Sequence, residues 1–314
     1  MNRQIDRRTF LQRCVSTSAG AMLGSLLPSS LFVFDKTAIS EFTVCAVTGD
    51  RYFDNTMAAV EVLGGMKKFV KKDATVALLI NSVFERFGTY VNPDIPLAVV
   101  KMCFDAGAKS IVTIEDTPGS YWGRSAYSQK LGHEIGLTGR PREKKDIKIE
   151  HAKIIKEGSV SSALLTSDIF INIPIIKDHR GVRYTGNLKN MMGAFSSSTC
   201  RHCHFGDRSA LTAVFQGYYS RPEILAQSIA DLNLVRKPDL CVADVTEILT
   251  TNGPAGPGKM SKPMQVVAGT NPVAVDMYCV RHLDVTPEEL LVIRYAQEHM
   301  LGPKSLKEVQ IIAK

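Results

Sequence analysis

The sequence has no clean run of about 20 apolar residues, the length a membrane-spanning helix takes. Its nearest approach, Val15 to Phe34, is diluted by Ser16, Thr17, Ser18, Gly20, Gly24 and Ser25 and broken by Pro28. A stable span is therefore not expected. There is no internal repeat and no low-complexity tract, which excludes solenoids and arrays. There is no basic stripe with interleaved aromatics, so nucleic acid is not an expected partner. The densest basic stretch, Arg140 to Lys148, also holds Glu143 and Asp146 and reads as a solvated linker. The seven cysteines do not form a run of four, the ligand number a [4Fe–4S] cluster takes. Only Cys200 and Cys203 are neighbours.

What is present suits a globular α/β protein. Hydrophobic residues are 45% of 314, enough for a full core, and 22% charged residues argue against wholesale disorder. The net charge is +7, of which three belong to residues 1–36. That segment carries Arg7-Arg8-Thr9-Phe10-Leu11 ahead of a moderately apolar stretch. It resembles a twin-arginine signal, which implies export of the folded chain to the periplasm or beyond the cytoplasm. No A-x-A cleavage site follows. Residues 40–314 are then expected to form one α/β domain.

Periodicity supports that class. Strands are expected at Glu41–Thr48, Thr75–Ile80, Ser110–Ile114, Ile169–Ile173, Leu240–Val245 and Met264–Ala268. Helices are expected at Met57–Val70, Asp94–Ala106, 123–135 and Pro222–Leu234, with two more between 273 and 300. Alternation of this kind gives a mainly parallel twisted sheet with helices on both faces. Such sheets bind ligands beyond the carboxyl ends of their strands. Attention therefore falls on Asn81, Glu115, Asp116, Lys177, Asp178, His179, Asp244, Glu247, Gly269 and Asn271.

The richest stretch is 168–193. A β-branched strand ends at Pro174, and Lys177-Asp178-His179 follow. Then come Thr185-Gly186-Asn187-Leu188-Lys189-Asn190 and Gly193. Lys177 and Lys189 supply positive charge, and His179 can exchange a proton or bind metal. Gly186 permits close backbone approach, and a helix starting there would offer N–H groups to an anion. The same stretch would also serve as an ordinary loop with surface lysines. Asp244 precedes a loop containing Gly253 and Gly256, whose backbone could border a ligand. Asp276, early in a helix after Asn271-Pro272, suits a cap or a site.

Ile-Pro-x-x-Lys-x-His followed by Thr-Gly-x-x-Lys-Asn-x-x-Gly resembles the core signature of the domain of unknown function 362 family. Asn92-Pro93, Ala106–Ile111, Asp244 with Gly253–Gly258, and Asn271–Asp276 resemble its other segments in the right order. The match covers about 42–300. It implies an α/β fold and no defined reaction. Relatives with ferredoxin-like cysteines imply an iron–sulfur association, from which this chain departs.

Cys200-Arg201-His202-Cys203-His204 leaves three chemistries open. C-x-x-C-H matches haem c attachment, which conflicts with export in the folded state. Cys200, Cys203 and His204, with His179, could hold zinc or iron. The cysteines could instead form a disulfide or redox pair. Cys45, Cys103, Cys241 and Cys279 sit in apolar patterns and are expected in the core, and His133, His151 and His299 at the surface.

Two functional expectations follow. One is an exported metal- or iron–sulfur-associated redox protein with a redox partner. The alternative is a small-anion (carboxylate or phosphate) binding or non-redox enzyme module. In that module Lys177, His179 and Lys189 are catalytic, and Asn190, Gly186, Asp244, Gly253, Gly256 and Asp276 contribute to binding.

Overall fold

The computed structural model describes residues 39–115, 117, 119–127, 143–206, 209, 211–212, 216–217 and 219–314. The twin-arginine segment, Asp116, His133 and most of the expected 123–135 helix lie outside the described residues.

A seven-stranded sheet forms the frame. Its strands are β1 (Thr43–Thr48), β2 (Thr75–Ile80), β3 (Ser110–Thr113), β6 (Ile169–Ile173), β7 (Leu240–Val245), β10 (Gln265–Gly269) and β11 (Gln310–Ala313). Two small hairpins supply β4 (Lys144–Lys148) with β5 (Glu157–Ser161), and β8 (Ile248–Leu249) with β9 (Met260–Ser261). The order across the large sheet is β11-β1-β10-β7-β6-β2-β3. Only β10 opposes its neighbours; the other pairings are parallel. The sheet is thus mainly parallel, as the alternating pattern predicts.

Period-two side chains divide the core between the faces. Cys45 and Val47, Val76, Leu78 and Ile80, and Leu240 and Val242 pack on one face. They meet helices α1 (Tyr52–Val62) and α2 (Asp94–Ala106). Val44 and Ala46, Ala77 and Leu79, and Cys241, Ala243 and Val245 pack on the other. There they meet α5 (Pro222–Leu232), α6 (Pro272–Cys279) and α7 (Leu291–Glu298). The same face carries the short α3 (Asn187–Asn190) and then α4 (Ser197–Phe205). Strands covered on both sides read as continuous apolar runs, which is why β2 is TVALLI.

Several expectations need correction. The Met57–Val70 helix begins earlier, at Tyr52, and stops at Val62, because Gly64 and Gly65 take positive φ and break it. The 140–148 linker is in part strand: Lys144–Lys148 pair with Glu157–Ser161. His299 is not at the surface: its Nε2 lies 2.8 Å from Asp231 Oδ1, with the two side chains 5% and 0% exposed. Cys45, Cys103, Cys241 and Cys279 are buried as expected. Among the described residues no helix is long and apolar enough to cross a membrane.

Candidate functional site

The strands β2, β3, β6 and β7 end on the same edge of the sheet, and the chain after each builds the site. β6 continues past Pro174 beside β7, with Ile176 N–H donating to Asp244 O at 3.0 Å. The chain then doubles back, so that Lys177 and Thr185 exchange backbone hydrogen bonds of 3.3 and 2.8 Å. This turn buries Lys177 and His179, each 1% exposed, and delivers the chain to α3.

The Lys177 ammonium donates to Thr89 O at 2.5 Å and lies 4.1 Å from the Phe84 ring centre. Among the described residues no carboxylate comes within 4.0 Å of it. Burial first, and the charge of Lys189 second, hold it well below the ordinary lysine value; Glu115 acts the other way. His179 Nδ1 accepts N–H groups from Gly181 (3.1 Å) and Val182 (3.3 Å), so the neutral ring carries its proton on Nε2. Burial, then Lys189, His204 and Lys177, lower its pKa to about 2. The ring stands edge-on to Tyr219, with 5.3 Å between centres.

Lys189 differs from Lys177 in reaching open space. It is half-buried on the wall of a cavity of about 320 Å³. The cavity is lined by Asn81, Val83 and Phe84 after β2, Glu115 after β3, and Thr185, Lys189 and Asn190 after β6. Met192, Gly193, Phe195, Ser197, Cys200, Arg201 and His204 complete it. Burial lowers the Lys189 ammonium, while Cys200, Cys203 and Glu115 act in the opposite direction. The lysine segment and the Cys/His segment therefore meet at one cavity.

Asparagines brace this wall. Asn190 Nδ2 donates to Asn172 Oδ1 at 2.7 Å and to Leu79 O at 3.1 Å. Asn172 Nδ2 donates to Asn187 O at 2.9 Å, and Asn81 Nδ2 reaches Asn190 Oδ1 at 3.3 Å. Sequence reasoning passed over Asn172. Its signal was one amide inside the β-branched run Ile169–Ile173. Phe84 and Thr89, in the loop after β2, carried no sequence signal.

The remaining candidates stand behind the cavity. Asp276 is fully buried, and its carboxylate accepts N–H groups from Asn187 (2.7 Å) and Leu188 (2.9 Å), with Tyr184 OH at 3.1 Å. The backbone donors expected to meet an external anion are thus taken by the chain's own carboxylate. Gly186 is needed because a Cβ there would overlap Asp276 and Tyr184. Asp244 accepts from Asn92 N at 2.6 Å and Thr246 N at 2.8 Å, fastening the start of α2 to the end of β7. Burial raises Asp244 and Asp276 to about 6, with their hydrogen bonds opposing. Gly253 N–H donates to Asp178 Oδ2 at 2.7 Å, and a Cβ on Gly253 would overlap the Asp178 carbonyl. Gly256, in the same loop, takes φ +68°. This glycine-rich loop clamps the Lys177–His179 turn rather than lining the cavity.

Cys200, Cys203 and His204 do not gather as a ligand set. Both cysteines lie on α4 and neither is in a disulfide. Cys203 is 0% exposed in the core, where burial pushes its thiol up. Cys200 Sγ donates to Met192 O at 3.1 Å. His204 Nδ1 donates to Cys200 O at 2.8 Å, which leaves the lone pair of the neutral ring on Nε2. Burial lowers its pKa. Among the described residues no three His, Cys, Asp or Glu side chains come together to hold a metal ion. Among the described residues no four cysteines converge as the ligands of an iron–sulfur cluster either.

The model of the family described as domain of unknown function (DUF362) matches residues 76–281. No curated protein matches. Among solved structures, the lactate racemase apoprotein from Thermoanaerobacterium thermosaccharolyticum is similar, with 12% identity and a TM-score of 0.44. The likeness covers 72% of this chain and 54% of that one, so the chain spans about half the length of that structure.

Proposed function

The chain belongs to the family described as domain of unknown function (DUF362), and from that premise we propose that it binds a small carboxylate- or phosphate-bearing molecule in the cavity beside Lys189. One observation carries the reading: an ammonium with no carboxylate within 4.0 Å among the described residues, set in a wall of about 320 Å³. A half-buried cation without a counter-ion has lost part of its hydration, and an anion supplied by a ligand offsets that cost. Arg201 on the same wall adds a second cation. The volume suits a small metabolite. His204 is the group placed to exchange a proton, since its lone-pair nitrogen belongs to a ring kept neutral by burial.

Calorimetric titration with inorganic phosphate and with malonate tests this. The wild type is expected to take one equivalent, and Lys189→Met to bind about tenfold more weakly or worse. Equal affinity in both proteins would reject the site.

We further infer that Arg7 and Arg8 direct the protein out of the cytoplasm, so that the ligand is met there. The paired arginines ahead of Phe10-Leu11 support this reading.

A further inference from the structure

We propose that Lys189 is a nucleophilic amine that forms an imine with the carbonyl carbon of a short 2-oxo acid, whose carboxylate is received by Arg201. The inference rests on the anion reading above and adds a reaction to it. Lys189 and Arg201 share one cavity wall, so a molecule carrying a carboxylate next to a carbonyl can meet both. Lys189 has no carboxylate within ion-pair distance among the described residues, which leaves its nitrogen available for chemistry. Burial shifts it toward the neutral amine, the form with a lone pair to give.

A second, independent feature points to a ligand at the same wall. Thr185 is 2% exposed, and its Oγ1 has no hydrogen-bond partner, as has Asn81 Oδ1. Both residues line the cavity. Buried polar atoms are rarely left unpaired. A hydroxyl on the same cavity wall as the amine is suited to donate to the oxygen that develops charge as nitrogen adds to a carbonyl.

The Lys189 lone pair forms the N–C bond while the carbonyl π pair moves to oxygen. A proton passes from the nitrogen to that oxygen, giving the neutral carbinolamine. The nitrogen lone pair then forms the C=N bond as the C–O bond breaks, and the departing hydroxyl takes a proton from solvent and leaves as water. Glu115 lies on the same cavity wall, and its charge reaches both lysines. Amine, carbonyl compound and one proton give one iminium and one water, and no oxidant or reductant is consumed.

The full chain is incubated with pyruvate or glyoxylate, reduced with borohydride, and mapped by peptide mass. The expected result is one reduced adduct on Lys189, suppressed by excess inorganic phosphate. Lys189→Arg keeps the cation but cannot form the imine. Its adduct yield is expected to fall about tenfold or more while phosphate still binds. That retained binding also reports that the variant is folded. If it does not fold, the mapped position and phosphate suppression in the wild type decide. No adduct with either oxo acid, or an adduct that maps elsewhere or persists in Lys189→Arg, overturns the imine. If phosphate binds the wild type in those cases, the anion reading survives; if it does not, both fall.

Discussion

The carboxylate of Asp276 accepts the backbone N–H of Asn187 at 2.7 Å, joining positions 89 residues apart. Through this contact helix α6 holds the turn that presents Lys189. The same carboxylate takes the Leu188 N–H and the Asn187 side-chain amide, so each of these partners donates. Asp276→Asn places an amide donor among these donors. It is expected to destabilise the protein by about 2–3 kcal/mol, the scale of a buried unsatisfied group. Burial raises Asp276 to about 6 from 3.8. The folded state therefore holds this proton more tightly than the unfolded chain does. The stability this carboxyl contributes is greatest below pH 3.8, is lost as pH rises to about 6, and is constant above. The variant lacks that dependence. Urea denaturation should show a larger deficit at pH 4 than at pH 7, and a pH-independent deficit would contradict this.

Gly253 has no room for a side chain, because a Cβ would overlap the Asp178 carbonyl. Gly253→Ala must push the glycine-rich loop off the Lys177–His179 turn. A loss of about 2–3 kcal/mol is expected, with weaker phosphate binding although Gly253 does not touch the cavity. Denaturation and titration of the one variant check both effects. Wild-type values would show the clamp to be dispensable.

His179 is held neutral, with a pKa of about 2 against 6.5 in the unfolded chain. Its contribution to stability is complete above about pH 6.5 and is lost as pH falls toward 2. In His179→Asn the amide oxygen can still accept the Gly181 and Val182 N–H groups, but nothing titrates. The variant is expected to be the weaker protein at pH 7.5. Its deficit should narrow by about 1–2 kcal/mol by pH 5. Stability curves that stay parallel over that range would show that His179 does not set the acid response.

The proposed export rests on Arg7 and Arg8 ahead of Phe10-Leu11. The Arg7→Lys/Arg8→Lys double variant is expected to accumulate in the cytoplasm. Fractionation that finds it exported as well as the wild type would remove the twin-arginine reading.

Much of the frame was legible because the physics is local. TVALLI reads as a strand covered on both sides, and Pro222 sits at the start of α5, where its missing N–H costs nothing. β11 was not legible: Gln310–Ala313 is short, half-exposed and gains its place only by pairing with β1. His299 was misread because its partner, Asp231, is 68 residues away. At the site, Lys189 and Asn190 were readable as polar residues after a strand, and both line the cavity. Lys177 and His179 carry the same signature, yet the turn from 177 to 185 folds them behind it. Asp276, Gly186, Asp244, Gly253 and Gly256 were recognisable as important without their role being visible. A residue that shapes a wall and one that touches a ligand leave the same trace in a single sequence. Cys200–His204 was read as a unit, but helical geometry turns Cys203 into the core and His204 toward the cavity.

The central claim is that the cavity beside Lys189 is an anion site, and crystals soaked with selenate test it most directly. The account predicts an anomalous peak inside the cavity, about 3 Å from Lys189 Nζ and within reach of Arg201, absent from Lys189→Met. Selenate found only at surface lysines, with the cavity empty or filled by water, would contradict it.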